Sequence, residues 1–223
     1  ILLYIFSYRM SLNELILELC IVIIIELFKL ESYKVKDMLK SIAPDFKGLV
    51  MVTGPTKSGK SELAEFFLSG HKRVSYIATS INRPNDSEWQ KRIEIHRNRR
   101  SSHWKLLEPP IDICKYLSTL SEDESVLIDS IGGLVEEHIK DSSDKWDEYT
   151  NELVDSLCER KRLIVIVSEE VGWGIVPSTS LGHLFRERLS AISSCLAKRS
   201  IKKWLAIQGH AIDIEKIGFK IPK

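Results

Sequence analysis

Leu49-Val50-Met51-Val52-Thr53-Gly54-Pro55-Thr56-Lys57-Ser58-Gly59-Lys60-Ser61 decides how this chain of 223 residues is read. Leu49 to Val52 is a short apolar run of the kind that forms a buried strand. After Thr53 the residues follow the spacing Gly-x-x-x-x-Gly-Lys-Ser. In such a loop the glycines let the backbone curl until successive N–H groups face phosphate oxygens, and the helix that follows adds its positive end. Lys60 is expected to reach the outer phosphates and Ser61 to hold Mg²⁺ through its hydroxyl. Gly54, Pro55, Thr56, Lys57, Ser58, Gly59, Lys60 and Ser61 are therefore read as nucleotide-binding, with GTP or ATP as the substrate and with Lys60 facing solvent until it arrives.

Outward from the loop, Ser61 to Ser69 sets Leu63, Ala64, Phe66, Phe67 and Leu68 among good helix formers, and Gly70 stops the run. Val74 to Thr79, Val126 to Asp129 and Leu163 to Ser168 are further short β-rich runs with helical patterns between them. Asp86 and Ser87 offer caps for a helix reaching Arg100; Trp146 to Arg160 and Ser180 to Ser200 have helical spacing as well. Ile201 to Gly209 reads as a final, partly polar edge strand. Alternation of this kind predicts an α/β fold: a single P-loop domain over residues 48–223, its mostly parallel sheet covered by helices on both faces.

Residues 1–47 read as a helical extension with no assigned function. Leu12 to Leu30 is rich in Leu and Ile, but Glu14, Glu18, Glu26 and Lys29 interrupt it. Its longest uncharged run, Leu19 to Ile25, falls well short of the ~20 apolar residues a spanning helix needs, so no integral membrane span is expected. Lys and Arg total 32 against 31 for Asp and Glu, and a formal charge of +1 gives no broad pull toward nucleic acid. Cys20, Cys114, Cys158 and Cys195 contain no Cys-x-x-Cys pair, which points away from zinc and disulfide scaffolds and toward a cytoplasmic protein.

Three further features carry chemistry. Asp129 ends an apolar strand, where open parallel sheets place their ligands; it either helps hold Mg²⁺ or caps the helix starting near Ile131. His96 shares a helix face with Arg92, Arg99 and Arg100. Neighbouring cations disfavour a protonated ring, so His96 would stay neutral and nucleophilic while the arginines bind phosphates; the alternative is a basic surface helix with an incidental histidine. Glu169 to Pro177, with Gly172 and Gly174 around Trp173, is a loop after a strand that either covers a substrate or only connects elements.

Thr53-Gly54 entering the loop, Tyr76-Ile77-Ala78-Thr79, Arg92-Ile93-x-x-His96-Arg97, His103-Trp104, Glu170-Val171-Gly172-x-Gly174-Ile175-Val176-Pro177 and Phe185-Arg186-Glu187 occur in this order. The set resembles the bifunctional adenosylcobinamide kinase/adenosylcobinamide-phosphate guanylyltransferase family over about Leu49 to Gly209. The resemblance implies phosphorylation of the adenosylcobinamide hydroxyl, then transfer of GMP from GTP to that phosphate through a histidine, in cobalamin biosynthesis. It places the nucleophile at His96, and it implies a homo-oligomer, since the family is typically trimeric. Some members have two adjacent histidines here, where this chain has Ile95 before His96; Ser193-Ser194 stands in place of an Asn-Gln pair. The alternatives are another P-loop small-molecule kinase or a non-catalytic nucleotide-binding relative.

Overall fold

A computed structural model of the chain describes residues 47–222 apart from 160 and 175, and at 92 the backbone alone. The extension expected over residues 1–47 lies, as far as 46, outside the described residues. Gly48–Gly54 forms strand β1, Lys60–Leu68 helix α1, Val74–Ala78 strand β2 and Ser87–Arg99 helix α2. Lys105–Leu107 (β3), Ile113–Thr119 (α3), Ser125–Asp129 (β4), Ile131–Glu137 (α4), Ser143–Cys158 (α5) and Leu163–Glu169 (β5) follow. Ser180–Arg199 (α6), Lys202–Ile207 (β6), His210–Asp213 (β7) and Ile214–Ile217 (α7) come last among the described elements.

The strands lie in one sheet in the order β3-β2-β4-β5-β1-β6-β7, parallel throughout except for the β6–β7 pair. Alternate residues explain why the apolar runs are continuous. Leu49 and Met51 of β1, Ile128 of β4 and Ile164 and Ile166 of β5 join one core with Leu117, Leu134, Leu153, Leu157, Ile192 and Leu196 from α3 to α6. Val50, Val52, Leu127, Val165 and Val167 point to the other face, where α1 packs across β1, β4 and β5 and buries Ala64, Phe67 and Leu68. Both faces are thus covered, and each fully buried aliphatic side chain contributes about 2 kcal/mol.

Two expectations for the periphery are corrected. The strand expected over Ile201 to Gly209 is not an edge: β6 lies between β1 and the antiparallel β7, which follows a turn at Gln208 and Gly209. Its sequence is partly polar because its residues are only intermittently buried, with Trp204 and Ala206 inward. Helix α5 starts at Ser143, ahead of the expected Trp146, because the Ser142 hydroxyl accepts the Lys145 N–H and sets the first turn before the apolar spacing begins. The expected cap of α2 does form, with the Asp86 side chain accepting from the Trp89 N–H at 3.0 Å.

Candidate functional site

The C-terminal ends of β1, β2, β4 and β5 open into a cleft of about 410 Å³. Backbone requirements shape its phosphate loop. Gly54 has φ +155°, and a Cβ there would lie 2.1 Å from the Ala206 carbonyl oxygen, so a side chain is excluded. Gly59, at φ +94°, turns the chain into α1, whose first residue is Lys60. Lys60 does not face solvent as expected: it is 8% exposed, and its Nζ donates to the Pro55 carbonyl at 2.7 Å. Thr56, Lys60 and Ser61 line the cleft, while the Ser58 hydroxyl is buried inside the loop without a hydrogen-bond partner.

Helix α2 forms the facing wall. Trp89, Ile93, His96 and Arg100 recur at helical spacing and all line the cleft, together with Gln90 and Arg97. Of the two phosphate-binding candidates among these arginines whose side chains are described, Arg99 and Arg100, Arg100 is placed there. Its guanidinium stacks 4.4 Å from the Tyr76 ring centre, its Nε donates to the His96 carbonyl at 3.1 Å, and its Nη1 is buried without a hydrogen-bond partner. Arg99 turns toward α1, where its Nε and Nη2 hold the two Glu65 oxygens at 2.7 and 2.9 Å and its Nη1 pairs with Glu62. Burial pushes the Glu65 carboxyl above its ordinary value, and the Arg99 fork opposes that shift. At Arg92 the side chain lies outside the described atoms.

Asp129 stands between β2 and α2. Its Oδ2 accepts from the Tyr76 hydroxyl at 2.5 Å and lies 3.8 Å from His96 Nδ1, which is also 3.3 Å from Arg99 Nη2. His96 therefore has a carboxylate as well as cations beside it. Burial first, and then the Asp129 charge, push the Tyr76 phenol upward, so it stays a proton donor to that carboxylate. Asp129 is not the cap of α4; Ser130 occupies that position, and its N–H donates to Thr79 Oγ1 at 2.9 Å.

Sequence reading gave no role to Tyr76, Trp89 or Glu169, all of which line the cleft. Tyr76 was legible as a strand residue and as part of the Tyr76-Ile77-Ala78-Thr79 segment, but not as a site residue, since its partner Asp129 comes from the neighbouring strand. Trp89 had a signal, its helical spacing from His96. Glu169 accepts the Gly132 N–H at 3.1 Å and the Ser130 hydroxyl, and burial raises its carboxyl above the ordinary value. The next residue, Glu170, anchors the root of the Glu169 to Pro177 loop by accepting from Thr53 Oγ1 at 2.6 Å, and its N–H donates to the Gly54 carbonyl. Farther out, Trp173 and Val176 are exposed, and Ile175 lies outside the described residues.

The family profile described as cobinamide kinase / cobinamide phosphate guanyltransferase matches residues 50–214. The bifunctional adenosylcobalamin biosynthesis protein CobU of Escherichia coli (strain K12) is 31% identical over 182 residues, covering 75% of this chain and 99% of that protein. The protein of the same name from Salmonella typhimurium is 29% identical over 186 residues, with the same coverage of 75% and 99%. CobP of Pseudomonas aeruginosa is 30% identical over 162 residues, covering 71% of this chain and 92% of its own length. The matched stretch contains the phosphate loop, the histidine helix and the strands that hold them, and the chain belongs to the cobinamide kinase / cobinamide phosphate guanyltransferase family.

Proposed function

We propose that this cleft phosphorylates the hydroxyl of adenosylcobinamide and then moves GMP from GTP to the new phosphate, with His96 carrying the GMP between the two. The observation that supports this most directly is that Lys60 of the phosphate loop and His96 of α2 line one cleft. In the guanylyl step an imidazole nitrogen attacks the α-phosphorus and the bond to the β-phosphate oxygen breaks, releasing pyrophosphate. The substrate phosphate then attacks the same phosphorus, and the P–N bond breaks. Arg100, with an unpartnered Nη1 in the cleft wall, is placed to take phosphate charge, and the loop N–H groups with Lys60 take the rest.

The donor set fits Mg²⁺. Ser61 and Asp129 bring a hydroxyl and a carboxylate to the same cleft, and Mg²⁺ takes few protein oxygens because phosphates and water complete its shell. No group of three or more His, Cys, Asp or Glu among the described residues makes a protein-only cage. Such an ion would neutralise phosphate charge. A homo-oligomer belongs to the same reading, supported by the exposed apolar side chains of Trp173, Val176 and Leu181, and light scattering tests it. A cytoplasmic location is part of it too, supported by the free Cys114, Cys158 and Cys195; no helix among the described residues is long and apolar enough to cross a membrane.

His96→Ala tests the assignment. The covalent GMP adduct, read by mass spectrometry after incubation with GTP, is expected to vanish, while phosphorylation of adenosylcobinamide persists. An adduct that still forms, or maps to His103, removes His96 from the role; wild type that phosphorylates without any adduct is a plain kinase.

A further inference from the structure

Glu169 is a half-buried carboxylate that neither step above employs, and it lines two cavities. It lines the cleft with Lys60, Ser61 and Asp129, and it also lines a second cavity of about 370 Å³ walled by Thr53, Glu170, Ser190, Ser193 and Lys203. The two carboxylates of the cleft differ in their surroundings. Asp129 is engaged by the Tyr76 hydroxyl and faces His96. Glu169 accepts one hydrogen bond on each oxygen, from Ser130 and Gly132, which leaves each oxygen a second acceptor position. Phosphoryl transfer to an alcohol releases a proton that a group close to the phosphate loop must take, and the imidazole of His96 is reserved for attack on phosphorus in the other step.

We propose that Glu169 is the proton acceptor of the kinase step, taking the proton from an acceptor hydroxyl that enters by way of the second cavity. The inference rests on the kinase reading given above. The acceptor oxygen bonds to the γ-phosphorus, the bond from that phosphorus to the bridging oxygen breaks with its electron pair leaving on the nucleoside diphosphate, and the hydroxyl proton passes to the Glu169 carboxylate. The groups acting on this carboxylate are Ser130 and Gly132 at the start of α4, its own backbone, and Asp129 of β4. Burial lifts its proton affinity above that of an ordinary glutamate, which makes it a stronger base.

Glu169→Gln in the full chain separates the two half-reactions. Phosphorylation of adenosylcobinamide from labelled nucleotide is expected to fall about a hundredfold or more, the usual worth of a general base. The GMP adduct on His96, which requires no hydroxyl proton, is expected to form at close to the wild-type rate. In wild type the phosphorylation rate should drop as pH falls and the carboxylate is protonated, and Glu169→Gln should lose that limb. Ser130→Ala, which removes a hydrogen bond favouring the charged form, should move the limb to higher pH. Phosphorylation by Glu169→Gln within about fivefold of wild type, equal loss of both half-reactions, or a limb indifferent to both substitutions overturns the proposal. A wild type that forms the adduct but never phosphorylates overturns the kinase reading itself.

Discussion

The phosphate loop and helix α2 form opposite walls of one cleft, yet they are held by different forces. The loop is clamped between β1, buried along most of its length, and α1, whose Ala64, Phe67 and Leu68 are in the core. Helix α2 has no buried side chain among those described. Its ties to the body are polar: the Arg99 fork on Glu65 with its contact to Glu62, the approach of His96 to Asp129, and Arg83, which stacks over Trp89 and pairs with Glu136 of α4. The kinase half of the site is thus preformed by backbone sterics and apolar packing, whereas the position of His96 depends on a few charged contacts that salt weakens.

Lys60→Ala is the strongest test of this contrast. Loss of the amine is expected to lower both phosphorylation and guanylyl transfer by roughly a hundred- to a thousandfold. The fold survives, at a cost of about 1 kcal/mol for the lost bond to Pro55, read from a denaturant midpoint. Near-wild-type rates would take the loop out of the chemistry.

Arg99→Ala attacks the other wall, with a smaller effect. Without its fork α2 loosens, so hydrogen exchange along residues 87–99 speeds up while the amides of β1 and α1 stay protected. The GMP adduct is expected to form about tenfold more slowly through misplacement of His96, with phosphorylation much less affected. Equal slowing of both steps would mean that the walls are not independently held.

The smallest effect is expected from removing residues 1–46. Both walls are built from residues after that point, and the truncated chain is expected to bind nucleotide and form the adduct as the full chain does. A truncated chain that is insoluble without detergent would instead assign the N-terminal segment a part in holding the domain together.

Much of this architecture was legible because it rests on local rules. The central strands announced themselves as unbroken apolar runs, since a parallel strand covered on both faces needs apolar residues in both directions. Strands β3 and β7 gave no such signal: Lys105–Leu107 and His210–Asp213 have no fully buried residue, and their pairing is fixed by neighbours rather than by pattern. Helix α3 was missed because its Ile113–Thr119 span is too short for a clear period, although Asp112 caps it. At the site, helical spacing put His96, Arg99 and Arg100 on one face; His96 and Arg100 line the cleft, whereas Glu65 of α1 draws Arg99 away.

The sequence by itself determined the phosphate loop and the strand and helix around it, because those conformations follow from steric constraints within a few residues: Gly54 and Gly59 where positive φ is required, and an apolar run before them. Only the tertiary structure decided that Lys60 folds back on Pro55, that Asp129 meets Tyr76 and His96, that Arg100 rather than Arg99 enters the cleft, and that Glu169 lines two cavities. Except for the local bond of Lys60 to Pro55, these depend on where a side chain finds an oppositely charged, hydrogen-bonding or stacking partner from a distant part of the chain, and spacing along one element does not encode that choice.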